Sequence, residues 1–386
     1  MLVNISRIFF SNRFSSLLRA VGRMLSKRFL WLEEKSVYEV VIVDSVSTHL
    51  ISPLLPKDIG YLEVPVRNDT VFINFSILLT LFLCFPLLLK RKISLRGSYI
   101  LSVARSTNAK LIGSIVDNND WSNIYLFGNA RVFSIQNGLR PEDEFTACGV
   151  QDVYFGFAQS KPKSLAAREY VGVGSLKLSL SQEHKTRAPK VQNSKVVFVS
   201  QYRPHAGNFE EMVRIQTTLA GWTSKFALAR GLDFGLAMNG RDGIWLKNER
   251  LMFEAEGLST ASSSFFGNDQ LGNYQSLENA ALVVGHSSTL LVESLAMKYK
   301  TLVCFPYGYA EHQAKLRSVF KFLPQEFILS EKATYGDFEK TADLLLDMDN
   351  SLFNNKLQLV NDKLCRLHSR DTCQSIVSSK ISSLLA

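Results

Sequence analysis

The residues best suited to chemistry in this chain follow short apolar runs. After Ala280–Val284 the sequence reads Gly285, His286, Ser287, Ser288, Thr289, and then turns apolar at helical spacing around one carboxylate, Glu293. Small hydroxyl residues at a helix start satisfy its unpaired backbone N–H groups. The same free N–H groups, with the helix dipole, also make a phosphate site. His286 is placed to add a donor to such a phosphate. Glu293, one turn in, is within reach of the ribose hydroxyls of a nucleotide anchored there.

Other strand ends carry comparable sets. Ser200, Gln201, Tyr202 and Arg203 follow the apolar run at 195–199, and an arginine there suits a phosphate. Asn239, Gly240 and Arg241 form a third corner, which a turn alone also explains. Earlier in the chain, "VDNNDW" places Asp117 at a strand end with Asn118 and Asn119 as donors beside it. "IQNGLRPEDE" offers Gln136 and Asn137 for a sugar and Arg140 for an anion, while Gly138 lets the backbone turn. Asp and Asn also favour turns for purely local reasons.

These residues need a frame that brings strand ends together. Strands alternate with helical patterns along the chain, the mark of a parallel α/β architecture. The spacing predicts strands at 38–44, 60–66, 110–117, 130–138, 152–160 and 169–177, with helices over 71–85 and near 95–107. After a polar stretch at 178–194, strands are predicted at 195–204, 233–240, 280–284 and just after Lys300, with helices over 209–230 and 245–256 and a helical tail from 332. Two Rossmann-like halves facing a cleft result: 36–180 and 195–340, a linker at 181–194, and helices over 341–386. In such sheets ligands bind beyond the carboxyl ends of the strands.

Composition fits that frame. The chain has 386 residues, 46% apolar and 20% charged, enough for two folded domains. Its net charge of +9 favours an anionic partner. The arginines are not interleaved with aromatics as in a nucleic-acid module, so no nucleic acid is expected. Five dispersed cysteines and six dispersed histidines give no metal spacing and suit a reducing cytoplasm. No GxSxG elbow, Walker loop, HExxH or strand-following GxGxxG is present.

Two segments bear on membranes. Residues 1–35 read as a basic amphipathic helix, suited to packing on the body or to an anionic membrane surface, and lack the pattern of a secretory signal. Val71–Leu89 has no charge over 19 residues and is followed by Lys90-Arg91-Lys92. It reads as a buried or membrane-dipping helix rather than a span, because the strands on either side belong to one sheet.

The segment "YQSLENAALVVGHSSTLLVESLAMKYKTLVCFP" resembles the donor-binding segment of GT-B glycosyltransferases. The series "VIVD", "VPVRNDTVFINFSILL", "SIVDNND", "FSIQNGLR", "VGVGSLK" and "FVSQYR" is similar to bacterial surface-carbohydrate proteins of lipopolysaccharide and capsule clusters, over about residues 36–310. The resemblance implies a nucleotide-sugar donor, with Ser287, Ser288 and Thr289 near its phosphate or nucleotide, Glu293 near the ribose and Arg203 facing the phosphates. It places Asp117 and Gln136 on the acceptor side. Some relatives carry a His-Pro-type motif where this chain reads "MNGRD". Asp117 would act as base in an inverting reaction or nucleophile in a retaining one. No metal or other cofactor is implied. The acceptor implied is a lipid-linked saccharide or oligosaccharide at the cytoplasmic face of the inner membrane. An alditol phosphotransferase of teichoic-acid type, a sugar-nucleotide epimerase and a non-catalytic assembly partner share the fold.

Overall fold

The structure is a computed structural model. It describes residues 26–33, 37–65, 70–90, 92–115, 129–181, 194–204, 209–239, 243–260, 264–265, 272–305, 317–358, 363–366 and 370–386. Asp117, Asn118, Asn119, Gly240 and Arg241 lie outside these residues, as does most of the basic N-terminal segment.

The strands are β1 (Arg28–Trp31), β2 (Val40–Val43), β3 (Tyr61–Val64), β4 (Thr70–Ile73), β5 (Leu111–Ser114), β6 (Arg131–Ile135), β7 (Gln151–Gly156) and β8 (Ala167–Gly172) in the first half. The second half holds β9 (Lys195–Val199), β10 (Asp233–Met238), β11 (Ser264–Phe265), β12 (Ala280–Gly285), β13 (Thr301–Cys304) and β14 (Ile328–Leu329). Among the described residues these form two six-stranded sheets, ordered β3-β2-β5-β6-β7-β8 and β11-β10-β9-β12-β13-β14, and a β1-β4 pair. Every pairing is parallel. β2 and β5, the strands flanking the apolar stretch at 71–89, are neighbours with Val40 opposite Leu111. Continuous β-branched runs such as Val40–Val43 are buried throughout, as a sheet covered on both faces requires.

Helices cover the sheets: α1 (Ser45–Ile51), α2 (Phe75–Leu89), α3 (Leu95–Ser106), α4 (Leu176–Ser181), α5 (Phe209–Ala229), α6 (Gly243–Glu254), α7 (Thr289–Ala296), α8 (Tyr335–Asp347) and α9 (Arg370–Leu385). Three expectations need correction. Residues 28–31, read as the end of an amphipathic helix, are strand β1, held by pairing with β4. The helix expected from Val71 begins at Phe75. Val71, Phe72 and Ile73 favour a strand, and Asn74 caps the helix by accepting the Ile77 N–H at 2.7 Å. The polar stretch read from 178 is helical at first, since α4 runs to Ser181 and Ser175 caps it by accepting the Leu178 N–H at 3.2 Å.

The end of the chain returns to the first half. Cys373, Val377, Ile381 and Leu384 of α9 join the core formed by Val40, Ile42, Leu111 and Phe133. On the way, the Arg366 N–H donates to the Phe157 carbonyl at 2.9 Å. This strap crosses Gly174, where a Cβ would fall 1.9 Å from the Arg366 carbonyl oxygen and where φ is +75°. Glycine is needed there on both counts.

Candidate functional site

β10, β9 and β12 are consecutive in the second sheet, so their carboxyl ends bring three of the expected corners together. Ser200 donates its N–H to Ala237 at 2.9 Å, and its hydroxyl accepts the Tyr202 N–H at 3.3 Å. The Asn239 side chain donates to the Tyr202 carbonyl at 2.8 Å, tying the β10 and β9 ends together. Arg203 is exposed and donates to Gln201 Oε1 at 3.1 Å.

A polar chain then runs beneath these ends. The Gln201 N–H donates to Gln216 Oε1 at 3.2 Å, which fixes the orientation of the Gln216 amide. Its Nε2 lies 2.8 Å from His286 Nε2 and must donate to it. His286 therefore carries its proton on Nδ1, 2.8 Å from Ser287 Oγ, which accepts it. The Ser287 hydroxyl hydrogen is thereby left to point away from His286, at the mouth of the strand end. Ser288 caps α7 by accepting the Leu290 N–H at 3.2 Å.

The two halves meet at this corner. The Leu139 N–H donates to Thr289 Oγ1 at 3.1 Å, joining the loop after β6 to the start of α7. Gln136 is buried in that loop, its Oε1 accepting the Phe157 N–H at 2.8 Å and its Nε2 donating to the Gly138 carbonyl at 3.0 Å. Asn137 accepts from Lys177 Nζ at 2.6 Å. Glu293 lies inside the junction, 4% exposed, where its carboxylate accepts hydrogen bonds from Ser175 and Tyr274. Burial raises its pKa, and the two hydroxyls and nearby Lys177 oppose that shift. Tyr274 is pushed well up by its own burial beside the Glu293 charge.

Sequence reasoning missed Gln216, Ser175, Tyr274 and Lys177. For Gln216 a signal existed: it interrupts the buried stripe Met212, Ile215, Leu219 and Ala220 of α5. A polar side chain in an apolar stripe needs a buried partner.

A cavity of about 390 Å³ opens at the carboxyl ends of β6 and β7 and reaches the second half. Arg140, Lys161, Lys163, Lys321 and Lys363 line it against a single carboxylate, Glu142. Another, of about 440 Å³, is lined by Lys110 and Arg131 at the amino ends of β5 and β6, the end that parallel sheets do not use for ligands.

The sequence matches no protein-family model and no curated protein. Its structure does resemble solved structures. A wall teichoic acid polymerase, TagF, soaked with CDPG, aligns with a TM-score of 0.51 at 10% identity over 97% of this chain and 98% of that one. The same polymerase in another variant gives 0.50 at 11% over the same shares. A Listeria monocytogenes protein assigned as a UDP-N-acetylglucosamine 2-epimerase gives 0.52 at 11%, over 91% of this chain and 96% of that one. The chain has the GT-B fold, two facing Rossmann-like halves.

Proposed function

We propose that this protein is a glycosyltransferase that moves a sugar from a nucleotide-sugar donor to a growing surface polysaccharide or lipid-linked saccharide. The observation that carries this reading is the Gln216–His286–Ser287 chain at the start of α7. It presents a hydroxyl donor at the start of α7, and Gln201 links it to Arg203 at the neighbouring strand end. A donor diphosphate suits that corner. As the bond to the anomeric carbon breaks, charge grows on the departing phosphate, and Ser287 and Arg203 stabilise it. Ser200, Gln201 and Asn239 frame the nucleotide side. Ser288 and Thr289 hold the α7 start in place, and Glu293 fixes that helix against the first half.

The acceptor lies across the junction, with Gln136, Asn137 and Arg140 at its side and Asp117, flanked by Asn118 and Asn119, as base or nucleophile. Lipopolysaccharide and capsule assembly at the cytoplasmic face of the inner membrane supply acceptors of this type. A second reading, transfer of an alditol phosphate, is favoured by the basic cavity, because five cations suit an acceptor that itself carries phosphates. The likeness to a teichoic acid polymerase agrees with it in fold.

The test is a thermal-shift panel of CMP, CDP, UDP, GDP and their sugar and alditol conjugates. A ligand selective for the folded state raises the melting temperature, by about 2.7 kcal/mol of stability at a hundredfold excess over its Kd. One diphosphate series is expected to stand out, and its sugar or alditol conjugate decides between the two readings. No shift with any nucleotide would overturn both.

A further inference from the structure

The α2 helix is apolar all round, yet only half of it is covered. Ile77 and Cys84 are buried in the core shared with α3, and partly buried Leu81, Leu87 and Leu88 pack against it. On the opposite side Phe75, Leu78, Leu79, Phe82, Leu83 and Phe85 stand between 46% and 75% exposed. Their spacing of three and four residues draws one continuous face. A soluble helix would carry charged side chains there. Trp31 of β1 extends the face, its ring edge-on to Phe75 at 5.4 Å.

The face is rigidly mounted. Asn74, fully buried, donates to the Leu32 carbonyl at 3.2 Å and to Ser106 at 2.7 Å while capping α2. The helix start, β1 and α3 therefore move as one body. No helix among the described residues is long and apolar enough to cross a membrane. α2 itself, at 15 residues, is about 22 Å long, short of a bilayer core of about 30 Å.

Charge at the rim narrows the occupant. Exposed Arg28 and Glu33 stand at the Trp31 end, and exposed Lys90 and Lys92 stand at the other. The sequence upstream of Ser26 adds Arg7, Arg13, Arg19 and Arg23 and no acidic residue. With Arg28, Lys90 and Lys92 against Glu33 the rim is net positive, so a second copy docked on this face would bring like charge to like. An apolar strip with cations at each end and an aromatic ring at its edge instead matches a helix lying in the plane of an anionic lipid surface.

We propose that the α2–Trp31 face seats this protein in one leaflet of an anionic bilayer, the helix lying parallel to the surface with its phenylalanines and leucines among the acyl chains. Lys90, Lys92 and Arg28 remain at headgroup level, and their attraction is screened by salt. The docking rests on exposure and charge alone and does not depend on the transfer reaction.

The experiment is co-sedimentation of the full chain with vesicles of phosphatidylcholine alone and of phosphatidylcholine with phosphatidylglycerol. Binding is expected chiefly to the anionic vesicles. A triple variant, Leu79→Gln, Phe82→Gln and Leu83→Gln, should lose partitioning at least about tenfold with an unchanged melting temperature, since these side chains are already in water. Lys90→Glu with Lys92→Glu should lower binding to the anionic vesicles by about fivefold per lysine and leave the neutral ones unaffected. Brominated acyl chains should quench wild-type fluorescence and quench Trp31→Phe less, a readout that does not depend on the triple variant folding. Equal binding by wild type and triple variant would overturn the proposal. So would failure of the wild type to pellet with either vesicle, including the case where the triple variant instead converts a dimer to a monomer.

Discussion

Ser175, at the end of β8 in the first half, donates its hydroxyl to the carboxylate of Glu293, on α7 of the second half. Tyr274 donates to the same group, which is buried. One carboxylate thus ties α7 of the second half to the first half. Because burial raises the Glu293 pKa, the folded chain holds that proton more tightly than the unfolded chain does. Its contribution to stability is whole at low pH and is lost as pH rises from the ordinary carboxylate range through the raised folded value. Glu293→Gln removes that loss. The melting temperature of the variant relative to wild type should therefore climb as pH rises from the ordinary carboxylate range. A constant difference across that range would exclude a raised pKa. Glu293→Ala leaves two buried hydroxyls without their acceptor and should cost about 1–3 kcal/mol for each.

The tautomer of His286 is a second measurable consequence. With Gln216 oriented by the Gln201 N–H, the imidazole must carry its hydrogen on Nδ1. Nitrogen-15 spectra of the imidazole should show the neutral Nδ1–H form, and an Nε2–H signal would refute the chain. Gln216→Glu still accepts from Gln201 but offers no donor to His286 Nε2, so it should draw a proton onto that nitrogen. Nucleoside diphosphate affinity should then vary with pH more steeply in the variant than in wild type. Ser287→Ala should weaken the same ligand by about tenfold, the worth of one hydrogen bond to a charged group.

The sheets were legible because buried parallel strands are written as continuous apolar runs, and Val40–Val43, Leu111–Ser114 and Ala280–Gly285 fall where those runs lie. Boundaries failed where two local signals overlapped. Val71–Ile73 continues into the apolar helix without any change of polarity, and only Asn74 marks the break. The strand ends of the second half were legible by residue type. Ser288 caps α7 as its type suggests, but what Thr289 and Glu293 do was not legible, because their partners depend on long-range packing. Thr289 meets Leu139 and Glu293 meets Ser175 across separations of 150 and 118 residues, which no local pattern encodes. The return of α9 to the first half was hidden for the same reason.

That return rests on Gly174. A side chain there would collide with the Arg366 carbonyl and would also hold an L residue at φ +75°. Gly174→Ala should destabilise the protein by on the order of 2 kcal/mol, read as a lower melting temperature. The damage should spread to α9, so the amides of Val377 and Ile381 should lose hydrogen-exchange protection while those of β9 and β12 keep theirs. Uniform loss across both sheets would argue against a local strap.

The basic cavity makes the last distinction, between acceptors with and without phosphate. Arg140 comes from the loop after β6 and Lys321 from the second half, so the two cations face the same space from opposite sides of the junction. If the acceptor is a phosphate-bearing chain, each should contribute a charge-assisted contact worth about 1.5–3 kcal/mol. Arg140→Ala and Lys321→Ala should then each raise the acceptor KM by about tenfold or more, with donor affinity unchanged, and the effect should shrink as salt rises. A neutral saccharide acceptor would show neither the salt dependence nor the loss at Lys321. Kinetics of these two variants against a phosphorylated and an unphosphorylated acceptor therefore separate a phosphate-bearing acceptor from a neutral saccharide at this junction.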